Sequence, residues 1–241
     1  DTITLRPDTV LIGFNPITTQ ILITDFTAAF QGVNGPSERP VPPVSGYFRA
    51  YPPFAGKGAP KAMVEAPRGG TNIITGIGLA TGGVNNRAVA LKWMAGETSL
   101  VNDVRFLGGH GTYGPDGRYL TIYNENQTGD PDDTRCWDSQ YWSLWVTDGG
   151  GGTFKDIWTP SPFAAAGLYV SDTATPGRVY ALSSEHHVRN EVKLRNVSNW
   201  QLFALQTEEE RGESPRALPL ESDGCSNLTI ANFFLYRVDL T

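Results

Sequence analysis

Apolar positions recur in short runs along this chain, and the spacing within them is that of strands. TVLIGF, TNIITGIGLA, RAVALKWMA, SLVNDVRFLGG, GLYVSDT, GRVYALSSE and LTIANFFLYRV are rich in Val, Ile, Leu, Phe and Tyr, and Gly, Pro, Asn or Asp bounds each of them. No segment sustains a helical period over three turns, so the chain reads as all-β. A weak rhyme of apolar residue, Asn or Asp, apolar residue and further strand positions recurs in SLVNDVRFL, GTFKDIWTP, VKLRNVSNWQL and NLTIANFFLYRV. Its intervals are too irregular for a propeller and fit a solenoid with coils of unequal length. The expected fold is a right-handed parallel β-helix, in which inward apolar residues form ladders and turn Asn side chains bond to the next coil. A β-sandwich is the competing arrangement.

The 27 Gly and 17 Pro residues supply many turns, and segments 31–60 and 108–133 read as long loops. A length of 241 residues is compatible with one domain over 1–241. The opening DTITLRPDTVLIG reads as a strand already under way, so a piece of a longer chain is expected.

Charge narrows the partners. Only 18% of residues are charged, the net charge is −6, and no cluster of Lys and Arg is present to follow a phosphate backbone, which argues against nucleic acid. No apolar run approaches the roughly 20 residues of a membrane span. Cys136 and Cys225 leave the redox compartment open, while the sequons at Asn126, Asn196 and Asn227 favour an extracellular, glycosylated protein.

Candidate chemistry concentrates in SSEHHVRNEVKLRNVSNWQLFALQTEEE, from Ser183 to Glu210. Here Ser184, Glu185 and His186, then Asn196 and Asn199, then Gln206, Thr207 and Glu208 resemble, in order and spacing, a segment of the family 55 glycoside hydrolases, the β-1,3-glucanases. The whole chain is similar in style to the broader group of pectate-lyase-like β-helix proteins, the glycosyl-hydrolase-28-related group, which implies a single-stranded pectin-lyase-like solenoid. The resemblance implies an inverting hydrolase of β-1,3-linked glucan, with Glu208 as general acid, Glu185 positioning the attacking water, and a second β-helix domain or chain beside this one. An inverting pair needs carboxyl groups roughly 6.5–9.5 Å apart, and acids on adjacent rungs with lateral displacement meet that need. Glu209, Glu210 and Glu213 would raise the Glu208 pKa if they lay close, which suits a general acid. Against this stands the reading of EEER as a solvated acidic loop with Arg211 as counterion.

Sugar-binding candidates are His186, Gln206, Trp142 and Asp138. His186 and His187 should face opposite sides of a strand, one orienting a carboxyl or a sugar hydroxyl and the other packing. With His110 distant in sequence and no completing ligand spacing, neither a metal nor another cofactor is expected. Trp137, Tyr141, Trp142 and Trp145 offer faces for sugar rings, although strand alternation should turn Trp142 away from Trp145. Asp130, Asp132, Asp133 and Asp138 could take sugar hydroxyls or a calcium ion, although their spacing does not match an EF-hand loop and solvated loop acids are the default reading. His110, within GGHG, resembles a family 28 motif, but the Arg-Ile-Lys of that family is missing. The sequence therefore favours a secreted polysaccharide hydrolase, with a non-catalytic carbohydrate-binding or attachment module as the alternative.

Overall fold

The computed structural model describes residues 1–25, 27–31, 39–40, 49–50, 58–82, 85–108, 112–113, 119–120, 140–161, 163–210 and 217–238. The chain begins with β1 (Ile3–Thr4), β2 (Val10–Ile12) and β3 (Gln20–Leu22), then a short pair, β4 (Arg39–Pro40) and β5 (Arg49–Ala50). Next come β6 (Lys61–Ala66), β7 (Ile73–Ala80), β8 (Ala88–Trp93), β9 (Leu100–Leu107) and a second short pair, β10 (Thr112–Tyr113) and β11 (Tyr119–Leu120). The remainder is β12 (Gln140–Val146), β13 (Gly152–Thr159), β14 (Ala164–Thr173), β15 (Gly177–Glu185), β16 (Asn190–Glu210), β17 (Leu218–Asp223) and β18 (Ser226–Val238).

These strands wind as a parallel β-solenoid. One face stacks β1, β6, β8, β12, β14, the first part of β16 and β17; the other stacks β2 and β3, β7, β9, β13, β15, the rest of β16 and β18. Both stacks are parallel throughout, which rules out the sandwich. The 21-residue β16 passes through both faces without a break and joins them into one sheet of 14 strands. Antiparallel pairing among the described residues is confined to β4 with β5 and β10 with β11, which fall within the two segments expected as long loops.

Apolar ladders fill the interior, as a solenoid requires. On the first face Val64, Leu91, Leu144, Leu168, Val192 and Leu220 stand in register. On the second, Ile77, Val104, Ile157, Leu182, Leu205 and Phe233 do the same. All except the final Leu220 and Phe233 are buried, and each such side chain contributes about 1.5–3 kcal/mol relative to exposure. Phe154 packs edge-on to Trp93 and stacks on Trp200 at 5.5 Å. The Trp200 ring lies against Gly177, where an added Cβ would come within 2.2 Å of it.

The rhyme has a geometric cause. Gly76, Asp103, Asp156, Ala181, Ala204 and Asn232 occupy one column across the rungs of the second face, and all have left-handed φ between 49° and 67°. Asn and Asp tolerate this conformation better than other residues with a Cβ, which is why they recur there. Each bends its strand and interrupts the alternation: Lys155 and Asp156 are both exposed between buried Phe154 and Ile157. Asn196, also left-handed, marks a second corner, where it donates to Asp172 at 2.9 Å. Asn199 and Asn227 mark a third, with Asn227 Nδ2 donating to Asn199 Oδ1 at 2.7 Å, a coil-to-coil amide bond of the kind expected.

Candidate functional site

Two residues beyond the left-handed column, the outer surface of the second face carries Arg105, Trp158, Ser183, Gln206 and Phe234 in register on successive strands. Two residues further along stand Glu185, Glu208 and Tyr236, again in register. Strand alternation thus brings Glu185, Gln206 and Glu208 together on one outward face, at the end of β15 and β16.

Their hydrogen bonds join the two carboxylates in one network. Ser183 Oγ donates to Glu185 Oε1 at 2.5 Å, and Gln206 Nε2 lies 3.3 Å from the same oxygen. The Tyr236 hydroxyl, on the far side of Glu208, donates to Glu208 Oε2 and lies 3.4 Å from Gln206 Nε2. Gln206 thus connects Glu185, through the Tyr236 hydroxyl, to Glu208.

The turn after β15 supports this face from within. His186 has left φ space for a strand behind, at +68°, and its backbone N–H donates to the Glu208 carbonyl at 3.1 Å. Its ring Nε2 stands 3.9 Å from Glu185 Oε2, and the residue is only 2% exposed. That burial places His186 against the carboxylate and away from any sugar in solution. The two histidines do not take opposite faces as expected, because β15 ends at Glu185 and neither belongs to a strand. His187 is buried too: Nδ1 is 2.5 Å from Glu191 Oε2, and Nε2 is 3.0 Å from Thr159 Oγ1. Ser184 Oγ also donates to Glu191 Oε2, at 2.9 Å. Gly167 makes room for this cluster, since a Cβ there would meet Ser184 Oγ at 2.1 Å.

Glu209 points the other way from Glu208, into the interior, as alternation requires. It is 2% exposed, and its Oε1 has no hydrogen-bond partner. Burial, with Glu191 and then Glu208 adding repulsion, pushes its carboxyl up from 4.5 to about 7, against the opposing pull of Arg237 and Thr207. The acidic run therefore includes a carboxyl with a raised pKa, but it is the inward Glu209, and the first cause is desolvation. The sequence expectation had placed that shift on Glu208 and attributed it to neighbouring charge. Glu213, Arg211 and the side chain of Glu210 lie outside the described residues.

Beside the carboxylates, the bend along the left-handed column opens a groove of about 360 Å³, lined by Asp103, Arg105, Asp156, Trp158, Ser183 and Gln206. The Arg105 guanidinium sits over the Trp158 ring at 5.0 Å. Sequence reasoning missed Trp158 and Tyr236. Aligning the rhyme would have found Trp158, which follows Asp156 by the interval that separates Arg105 from Asp103.

Trp142 is not beside the carboxylates. It lies on the first face, in register with Ala166, with its ring 4.4 Å from Tyr169 and 4.7 Å from Trp145. Trp142 and Trp145 share a side after all, because Ser143 and Leu144 between them are both buried and break the alternation. Asp138, His110, Trp137, Asp130, Asp132, Asp133, Cys136 and Asn126 lie outside the described residues. Among the described residues no three of His, Cys, Asp and Glu converge to hold a metal ion. Neither the family models nor the curated proteins compared with this sequence give a match.

Proposed function

We propose that the outer second face is the working surface of an extracellular carbohydrate-active protein, and that Glu185 and Glu208 hydrolyse a β-glucan, β-1,3-linked by the family 55 resemblance. The observation that carries this reading is the pair itself: two carboxylates on adjacent rungs, on one outward face, beside a groove lined by an aromatic ring and polar side chains. In the proposed reaction, Glu208, whose Oε2 accepts from Tyr236, passes a proton to the departing glycosidic oxygen. Glu185, fixed by Ser183 and Gln206, takes a proton from the water that attacks the anomeric carbon from the opposite side. The register sets the pair about 4.8 Å apart at Cα, without the lateral displacement expected from the sequence, so inversion requires the carboxyl groups to splay to roughly 6.5–9.5 Å.

That close stacking favours a second reading, in which the same face binds a glycan without cleaving it. Reducing-sugar release from β-1,3-glucan, pectin and mixed-linkage polymers, by the protein and its Glu208→Gln variant, separates the two. Release that disappears in the variant supports hydrolysis. Absence of release with polymer binding retained gives the second reading, and release that survives the substitution removes Glu208 from the mechanism.

A further inference from the structure

Resting on the carbohydrate reading above, we infer that the glycan lies along the solenoid axis in the groove, over Ala181 and Ala204, with Trp158 as a subsite remote from the carboxylates. The left-handed column supplies the argument. Within it, Gly, Asp and Asn stand at 76, 103, 156 and 232, residue types suited to that backbone, while alanine occupies 181 and 204. Alanine takes left-handed φ less readily than Asn or Asp and gains no local hydrogen bond there. Both alanines are exposed and line the groove. A longer side chain at either position would project into the groove beside the Trp158–Ser183–Gln206 ladder. The strained backbone is kept, and the groove floor stays two methyl groups deep.

The same geometry sets the ligand's length. Trp158 lies one strand from Glu185 and two from Glu208, and both carboxylates stand two residues further along their strands, so roughly 8–12 Å at Cα separates it from them. A pyranose advances a chain by about one strand spacing, and a glycan that reaches both ends therefore needs roughly three or more units. Asp103 and Asp156 flank the ring as acceptors for sugar hydroxyls, and Arg105 covers one side of it.

Calorimetric titration with β-1,3-gluco-oligosaccharides of two and six units, in a Glu208→Gln background that prevents turnover, tests the inference. Trp158→Ala should weaken hexasaccharide binding about tenfold and leave disaccharide binding unchanged. Ala204→Asn should weaken the hexasaccharide by a similar factor while raising Tm by about 2 °C, because Asn suits the backbone that alanine strains. Equal hexasaccharide affinity in all three proteins overturns the groove assignment and leaves the carboxylate site standing. A lowered Tm in Ala204→Asn overturns the argument about the floor. A parent that binds neither oligosaccharide contradicts this inference and the β-1,3-glucan assignment together.

Discussion

Replacing Glu209 by Gln removes the one carboxyl among the described residues that burial holds near neutrality, and stability should respond with a definite sign. In the folded protein Glu209 titrates at about 7, against 4.5 for an ordinary carboxyl. Between those values the native state keeps a proton that the unfolded chain has lost. The resulting stabilisation is complete below about pH 4.5 and is lost as pH rises through 7. A difference of about 2.5 pKa units corresponds to about 3 kcal/mol, or about 6–12 °C in Tm for a domain of this size. The charged groups around it are Glu191 and Glu208 on its own strand and Arg237 on β18, with His187 paired to Glu191. Glu221 works in the opposite sense, since its bond to Lys193 lowers its pKa, so the parent's pH profile mixes several groups. The difference between parent and Glu209→Gln isolates this one. Thermal unfolding followed by circular dichroism from pH 4 to pH 8 should show the variant gaining on the parent as pH rises, with most of the change between pH 4.5 and 7.5. A difference constant over that range, or one that grows toward acid, would refute a neutral buried Glu209.

Two core substitutions test the packing behind the site. Gly167→Ala forces a methyl group to within 2.1 Å of Ser184 Oγ and 2.7 Å of His187 Cε1 and should destabilise by about 2–3 kcal/mol, read from urea midpoints. Adding Ser184→Ala in the same chain should recover part of that loss; full additivity of the two changes would contradict the contact. Leu182→Ala leaves a cavity in the second-face ladder and should lose about 2–5 kcal/mol in the same assay.

The fold was legible because solenoid coils repeat their constraints. Strand-length apolar runs gave the β class, and the Asn/Asp rhyme marked the residues at which each coil bends, with Asp103, Asp156 and Asn232 sharing one column. Glu185, Gln206 and Glu208 could be placed on one surface because they alternate along strands whose register the rhyme nearly fixes. What escaped depended on departures from alternation. Trp142 and Trp145 converge because two successive residues between them turn inward, and Trp158 joins the groove because the bend at Asp156 shifts the phase of its strand. Burial was also unreadable at His186 and His187, polar residues whose interior position follows from the turn after β15 and from the Glu191 carboxylate that receives His187, whereas alternation along β16 turns Glu209 inward. Ala181 and Ala204 carried no visible signal, since a small residue in a strand attracts notice only when its φ is known.

The central claim, that Glu208 and Glu185 act on opposite sides of a glycosidic bond, is tested most directly by the anomer first released from a β-1,3-glucan. Proton NMR recorded within the first minutes of digestion should show the α-anomer appearing before mutarotation, and Glu208→Gln should release none. A β-anomer appearing first would mean that one carboxylate attacks the sugar itself, and absence of any new reducing end would contradict hydrolysis at this face.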